Sequence, residues 1–174
     1  MAVHPAALPI VCAPMAGGPS TPALAAAVAE AGGLGMLAGA ISTPDALEAD
    51  LTEVERSTDG SWGVNLFLPS ARIASESALA DYRRGLEPLA ADLGVDLGDP
   101  VHGDDAIEAK IEIVLRHRPA AVSVTFGRPG RELTDRVHDI GALMIGTVTS
   151  VAEAEMAAED GADLLVVQGS EAGG

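Results

Sequence analysis

Short apolar runs alternate with amphipathic stretches along the chain, and Gly, Pro, Ser and Thr punctuate the joins. The first run covers residues 8–13 and predicts a buried strand. Thr21 follows as a helix cap, with Pro22 at the first helical position, where a missing N–H costs nothing. That helix should run through residues 23–31 and stop at Gly32-Gly33. A second strand is expected over 34–38. Ser42-Thr43-Pro44 repeats the Ser20-Thr21-Pro22 signal and opens a second helix, whose Leu47, Leu51 and Val54 share one face. Residues 62–68 form the third predicted strand, with Gly63-Val64-Asn65-Leu66-Phe67 at its centre.

Regularity lapses between residues 69 and 105. A helix is expected around 74–93, followed by Gly94, Gly98 and an acidic turn. This stretch reads as an insertion within one domain spanning 1–174. Helical periodicity resumes over 106–116, then strand 121–126, a helix around 131–140 and strand 143–148. Ser150 and Glu153 have capping-box spacing for a helix ending near Gly161. A sixth strand covers 164–168. Alternating elements with continuous apolar strands imply a parallel sheet covered by helices. An open doubly wound sheet and a closed barrel both satisfy that pattern, but no GxGxxG fingerprint follows the first strand.

Composition narrows the class. Hydrophobic residues make up 48% of the 174 and charged residues 21%, which is a globular balance. The net charge of −16 argues against nucleic-acid and anionic-membrane partners, both of which present phosphate. The Ala-rich start lacks a basic leader and is broken by Pro5, Pro9, Pro14, Pro19 and Pro22, so it does not read as a secretion signal. No uninterrupted apolar run reaches the ~18 residues of a spanning helix. A single cysteine excludes an internal disulfide framework, and a cytoplasmic location is expected.

Candidate chemistry gathers after the strands, where α/β folds place their sites. The loop from Ala13-Pro14-Met15 through Gly17-Gly18 to Pro22 is poor in side chains. It suits either a tight turn or a flat ligand lying on the backbone. Asn65 stands inside an apolar strand, as a satisfied core amide or as a ligand contact. Gln168 ends a buried run before Gly169-Ser170-Glu171-Ala172-Gly173-Gly174. His4, His102, His117 and His138 lack metal-ligand spacing and read as solvated or capping residues. Cys12 reads as an inert buried thiol. Asp104-Asp105 and Glu159-Asp160 read as solvated helix-end charges.

Together these segments resemble the nitronate monooxygenases, formerly 2-nitropropane dioxygenases. The matching stretches are Pro9-Ile10 with Ala13-Pro14-Met15-Ala16-Gly17-Gly18, Ala31-Gly32-Gly33-Leu34-Gly35 and Gly63-Val64-Asn65-Leu66-Phe67. Val122-Ser123-Val124-Thr125-Phe126-Gly127 and Gln168-Gly169-Ser170-Glu171-Ala172-Gly173-Gly174 complete them. The resemblance implies a TIM (β/α)₈ barrel binding FMN at the C-terminal ends of its strands, incomplete here after about six strand–helix units. It assigns ring contacts to Ala13, Pro14 and Met15, and flavin hydrogen bonds to Asn65, Gln168 and Gly173.

The family motif runs from the paired glycines into a histidine, assigned as catalytic base or positioning residue. The sequence ends at Gly174. A closed barrel commonly takes about 250 residues and at least ~200, so a longer parent is expected. For that parent the resemblance implies oxidation of alkyl nitronates such as propionate 3-nitronate with O2, giving a carbonyl product and nitrite. The 174 residues alone are expected to be inactive. The related flavin-dependent enoyl-acyl carrier protein reductase is the alternative enzyme. A non-catalytic module that assembles through open sheet edges, as a homo-oligomer, is the alternative of another class.

Overall fold

The computed structural model describes residues 5–69 and 74–172. Their contacts divide them into two compact units, within 1–69 plus 104–174 and within 70–103. The first unit holds six strands: β1 (Val11–Cys12), β2 (Leu34–Ala38), β3 (Trp62–Phe67), β4 (Ala121–Thr125), β5 (Leu143–Val148) and β6 (Leu164–Val167). They lie in chain order within one sheet, and every neighbouring pair is parallel. A doubly wound sheet would reverse its order at a switch point. No reversal occurs, and the sheet curls as an incomplete TIM barrel with β1 and β6 at its edges.

The described residues form six helices: α1 (Pro22–Glu30), α2 (Pro44–Ser57), α3 (Glu76–Leu93), α4 (Ile107–His117), α5 (Gly130–Asp139) and α6 (Val151–Glu159). Their starts follow from side-chain chemistry. The Thr21 and Thr43 hydroxyls accept the Leu24 and Ala46 N–H groups at 3.2 Å, and Ser150 accepts Glu153 N–H at 3.3 Å. The Glu153 carboxylate reaches back to the N–H of Thr149 at 2.6 Å, one residue before the cap. That bond, with the Thr149 hydroxyl and Ser150, holds the Glu153 carboxyl below its usual range. The second unit contains α3. Gly94 ends this helix in a left-handed conformation, and Arg83 donates to the carbonyls of Leu97 and Gly98.

Register sorts the strand residues of the first unit onto two faces. Leu37, Val64, Val122 and Met144 are aligned on the outer face and belong to the main core, with Leu47, Leu51 and Val54 of α2 and Ile111 and Val114 of α4. Gly35 on that face is required by close approach: a Cβ there would stand 2.0 Å from the Ala25 carbonyl oxygen of α1. The inner face begins with Leu34, Met36, Ala121 and Ile145, a separate apolar cluster. Gly63 makes room there for the Met36 thioether, whose sulfur would lie 2.6 Å from an added Cβ.

The helix-end reading of Asp160 needs correcting. Asp160 is not a solvated charge; it is 5% exposed and forms a two-pronged ion pair with Arg128. Its carboxylate also accepts the N–H of Gly130 at 3.0 Å, at the start of α5. The C-terminal cap of α6 thus supplies an acceptor to an otherwise orphan helix donor. Hydrogen bonding to Arg128, then to Gly130, holds the Asp160 carboxyl below its ordinary value of 3.8 despite burial. Glu159 beside it stays exposed, as expected. Cys12 is half-buried rather than buried, because β1 is a short edge strand.

Candidate functional site

At the C-terminal ends of the strands the inner face turns polar. Ala38, Asn65, Ser123 and Ile145 form one layer across β2, β3, β4 and β5. Phe67, Thr125, Thr147 and Val166 belong to the next layer up; Phe67 pairs with Thr125 and Thr147 with Val166. Asn65, 4% exposed, donates from Nδ2 to Ser123 Oγ at 2.8 Å and to Thr125 Oγ1 at 3.1 Å. Thr125 Oγ1 donates in turn to Thr147 Oγ1 at 3.3 Å. Mutual hydrogen bonding offsets the cost of placing these groups inside a barrel.

The glycine loop sits beside this ladder. Met15 N–H donates to Ser20 Oγ at 2.8 Å, and Ser20 N–H returns to the Met15 carbonyl at 3.4 Å, closing the loop after β1. A cleft of about 350 Å³ opens between it and the loop after β2, lined by Met15, Gly17, Gly18, Ala38, Ile41 and Asp50 among others. Ala38 is the register partner of Asn65, so the cleft adjoins the ladder. Burial, with Glu53 adding to it, pushes the Asp50 carboxyl above its ordinary 3.8.

The sequence candidates therefore separate into three groups. Ala13 and Pro14 precede Met15 in the loop, exposed and half-buried respectively. Met15 lines the cleft with Ala38, the register partner of Asn65. Gln168 follows β6 at the opposite edge, its N–H bonded to the Val148 carbonyl at 3.0 Å and its side chain half-buried. The Asn65–Thr125–Thr147 chain spans the strands between them. Gly173 lies outside the described residues, as does His4. His117 and His138 pair with Glu55 and Asp163 at 3.0 and 2.8 Å, away from this ladder, and His102 is exposed. Among the described residues no group of three or more potential ligands is arranged for a metal, and no helix is long and apolar enough to cross a membrane.

Sequence reasoning missed the partners of Asn65. The signal was present in Ala121-Val122-Ser123-Val124-Thr125, whose strict alternation puts both hydroxyls on one face. Two bulky residues at strand ends were also missed. Phe126 follows β4 with φ of 66°, and Ile41 follows β2 with φ of 65°, a region that such side chains rarely adopt. Alternation would send the Phe126 ring outward like Val124. The left-handed turn instead sets it edge-on against Phe67, with ring centres 4.7 Å apart.

A one-directional parallel barrel with a polar ladder and a glycine loop at the C-terminal ends of its strands has the architecture of (β/α)₈ enzymes. Residues 3–174 match the nitronate monooxygenase family model, and the chain belongs to that family. It is 40% identical over 175 residues to nitronate monooxygenase from Pseudomonas aeruginosa, and 36% identical over 167 residues to a probable nitronate monooxygenase from Bacillus subtilis. Each alignment covers 95% of this chain and 48% of the relative, so the chain spans about half the length of these relatives. The structure of a nitroalkane oxidase from Streptomyces ansochromogenes superposes with a TM-score of 0.92 at 42% identity, over 97% of this chain and 48% of that one. FabK from Thermotoga maritima superposes less closely, with a TM-score of 0.68 at 26% identity over 95% of this chain and 42% of that one.

Proposed function

We propose that this chain provides the flavin-ring half of an FMN-dependent enzyme that oxidises alkyl nitronates, such as propionate 3-nitronate, with O2 to a carbonyl product and nitrite. The observation that carries the reading is the Asn65–Ser123–Thr125–Thr147 ladder beside the Met15 loop, at the strand ends where such barrels work. When bound, the flavin supplies the redox chemistry. The residues present suit its ring: backbone groups of Ala13, Pro14 and Met15, the Asn65 amide, and Gln168 at the far edge, with Gly173 assigned by the family resemblance alone. Gly17 and Gly18 have φ of 83° and 116° and nothing within 4 Å of an added Cβ, which leaves the loop backbone open to a flat ligand.

Neutral amides and hydroxyls orient an anionic nitronate without neutralising it, and the Phe67 ring, edge-on to Phe126, adds an apolar surface beside them. The same residues bring no cation to a phosphate. The side chains lining the cleft include Asp50 and no cation, and barrels of this type hold phosphate on loops after strands seven and eight. Asn65→Ala and Gln168→Ala should each weaken flavin binding or shift its absorption spectrum, measured by titrating the apoprotein. Unchanged affinity and spectrum in both would refute the assignment. Oxygen uptake with propionate 3-nitronate tests the reaction; NADH consumption with an enoyl thioester would point to the enoyl reductase instead. The closer superposition on nitroalkane oxidase than on FabK favours the first. A soluble cytoplasmic enzyme acting on a small nitronate and O2 is the corresponding setting.

A further inference from the structure

The loop after β2 forms one wall of the cleft, and its conformation is held from outside the loop. Ile41 is 73% exposed and left-handed, which a β-branched residue tolerates only when its surroundings impose it. Its N–H donates to Asp105 Oδ2 at 3.2 Å. The same oxygen lies 2.7 Å from Nζ of Lys110, whose side chain is 0% exposed within α4. Asp105 and Ala106 are themselves left-handed, with φ of 56° and 51°. Three strained residues thus surround one carboxylate. Asp105 is therefore no solvated helix-end charge, whereas Asp104 beside it stays exposed, as expected, and accepts the Ala106 N–H.

We propose that Lys110 is a positioning residue for the candidate site. Paired with Asp105, it pins the β2–α2 loop in its strained form and so fixes the cleft wall beside Asn65. The loop is continuous with the ladder: Gly39 N–H donates to the Asn65 carbonyl at 2.8 Å, and Ser42 Oγ donates to the Gly39 carbonyl at 2.9 Å. Lys110 has no other route to act there, since its ammonium does not line the cleft and, beyond the ion pair with Asp105, has no hydrogen-bond partner among the described residues. A buried ammonium without its carboxylate is costly, so the pair is held together and the carboxylate stays where Ile41 needs it. The latch stands on geometry alone; its consequence for a flavin rests on the proposed function.

Amide hydrogen exchange resolved by NMR tests it in the full 174-residue chain. Lys110→Met keeps an apolar side chain of similar length in the buried position, so the fold should survive. Freed from the ammonium, Asp105 should turn to water, and the protection factor of the Ile41 amide should fall on the order of tenfold to a hundredfold. Lys110→Arg should retain part of that protection. A merely structural lysine predicts no loss confined to the Ile41 amide in a folded Lys110→Met variant. A folded Lys110→Met variant with Ile41 protection within about twofold of the original chain would overturn the proposal. Lumiflavin fluorescence quenching in the same samples reports the site separately. Quenching that weakens along with Ile41 protection supports positioning, and quenching unchanged while protection is lost overturns it. No quenching by the unsubstituted chain counts against the flavin reading, and the exchange result still decides the latch.

Discussion

Asn65→Ala is the perturbation that most directly probes the inner-face ladder. The amide makes two hydrogen bonds, to Ser123 Oγ and Thr125 Oγ1, in a layer from which water is largely excluded. Each neutral bond contributes about 0.5–1.5 kcal/mol net, so losing both costs about 1–3 kcal/mol. Thr125 keeps its bond to Thr147, whereas Ser123 loses its amide donor while 4% exposed, which favours the upper half of that range. Equilibrium urea unfolding of the chain should show a lower midpoint at unchanged slope. Asn65→Asp separates hydrogen bonding from electrostatics. A carboxylate can accept from both hydroxyls, but burial penalises its charged form and raises its pKa. A group raised in the folded state binds its proton more readily there, so stability of that variant should fall as pH rises above ~4. An Asn65→Ala variant within about 0.5 kcal/mol of the original chain would mean that the ladder contributes nothing measurable.

Three further outcomes follow from separate parts of the molecule. Gly35→Ala should destabilise by about 1–3 kcal/mol or more, because its methyl would meet the Ala25 carbonyl at 2.0 Å and α1 would have to withdraw; an unchanged thermal midpoint would refute that packing. Asp160 has a depressed pKa, so its stabilisation is present above the unfolded carboxylate value and lost as pH falls through the folded one. Asp160→Asn should therefore lower stability at neutral pH and flatten the acid limb below ~4, a pattern that urea midpoints across pH would reveal. Isothermal titration should find riboflavin and FMN bound by this chain with similar affinity, since no cation lines the cleft; FMN tighter by more than about tenfold would reveal a phosphate site.

The parts of the fold readable from sequence are those fixed by local chemistry. β2 and β5 occupy the predicted residues because each is an apolar run flanked by turn formers and paired on both sides. The Thr21-Pro22 and Thr43-Pro44 caps are likewise local devices. β1, at one edge, is only two residues long, and β4 stops before Phe126 because a positive φ leaves the extended region. Asn65 was legible as a polar residue in an apolar strand. Ser123 and Thr147 became legible as its network only through register, which sequence alternation does not supply across strands separated by a helix. Lys110 was missed because a charged residue between two carboxylates invites a solvated reading, although helix spacing places it with Ile107 and Val114 rather than with Glu108 and Glu112. Asp160 hid in the same way behind Glu159.

Register is also what turns scattered residues into a site. Read outward along the inner face, β4 offers Ala121, Ser123 and Thr125, and β5 offers Leu143, Ile145 and Thr147. Each strand moves from apolar to hydroxyl-bearing, and β3 places Asn65 at the level where β4 makes the change. None of these local sequences is unusual. Because the strands are parallel, their polar ends meet on one side, and because they pair in order, the groups come within hydrogen-bonding distance. A one-residue slip in β4 would put Val122 and Val124 inside and both hydroxyls against the helices, stranding Asn65 without partners. The same parallel arrangement attaches the Met15, Ile41 and Phe126 loops to that polar end. Strand residues thus set the chemistry of the floor, where any change disturbs the ladder. The loops above can vary without that cost, and the discrimination among ligands belongs to them.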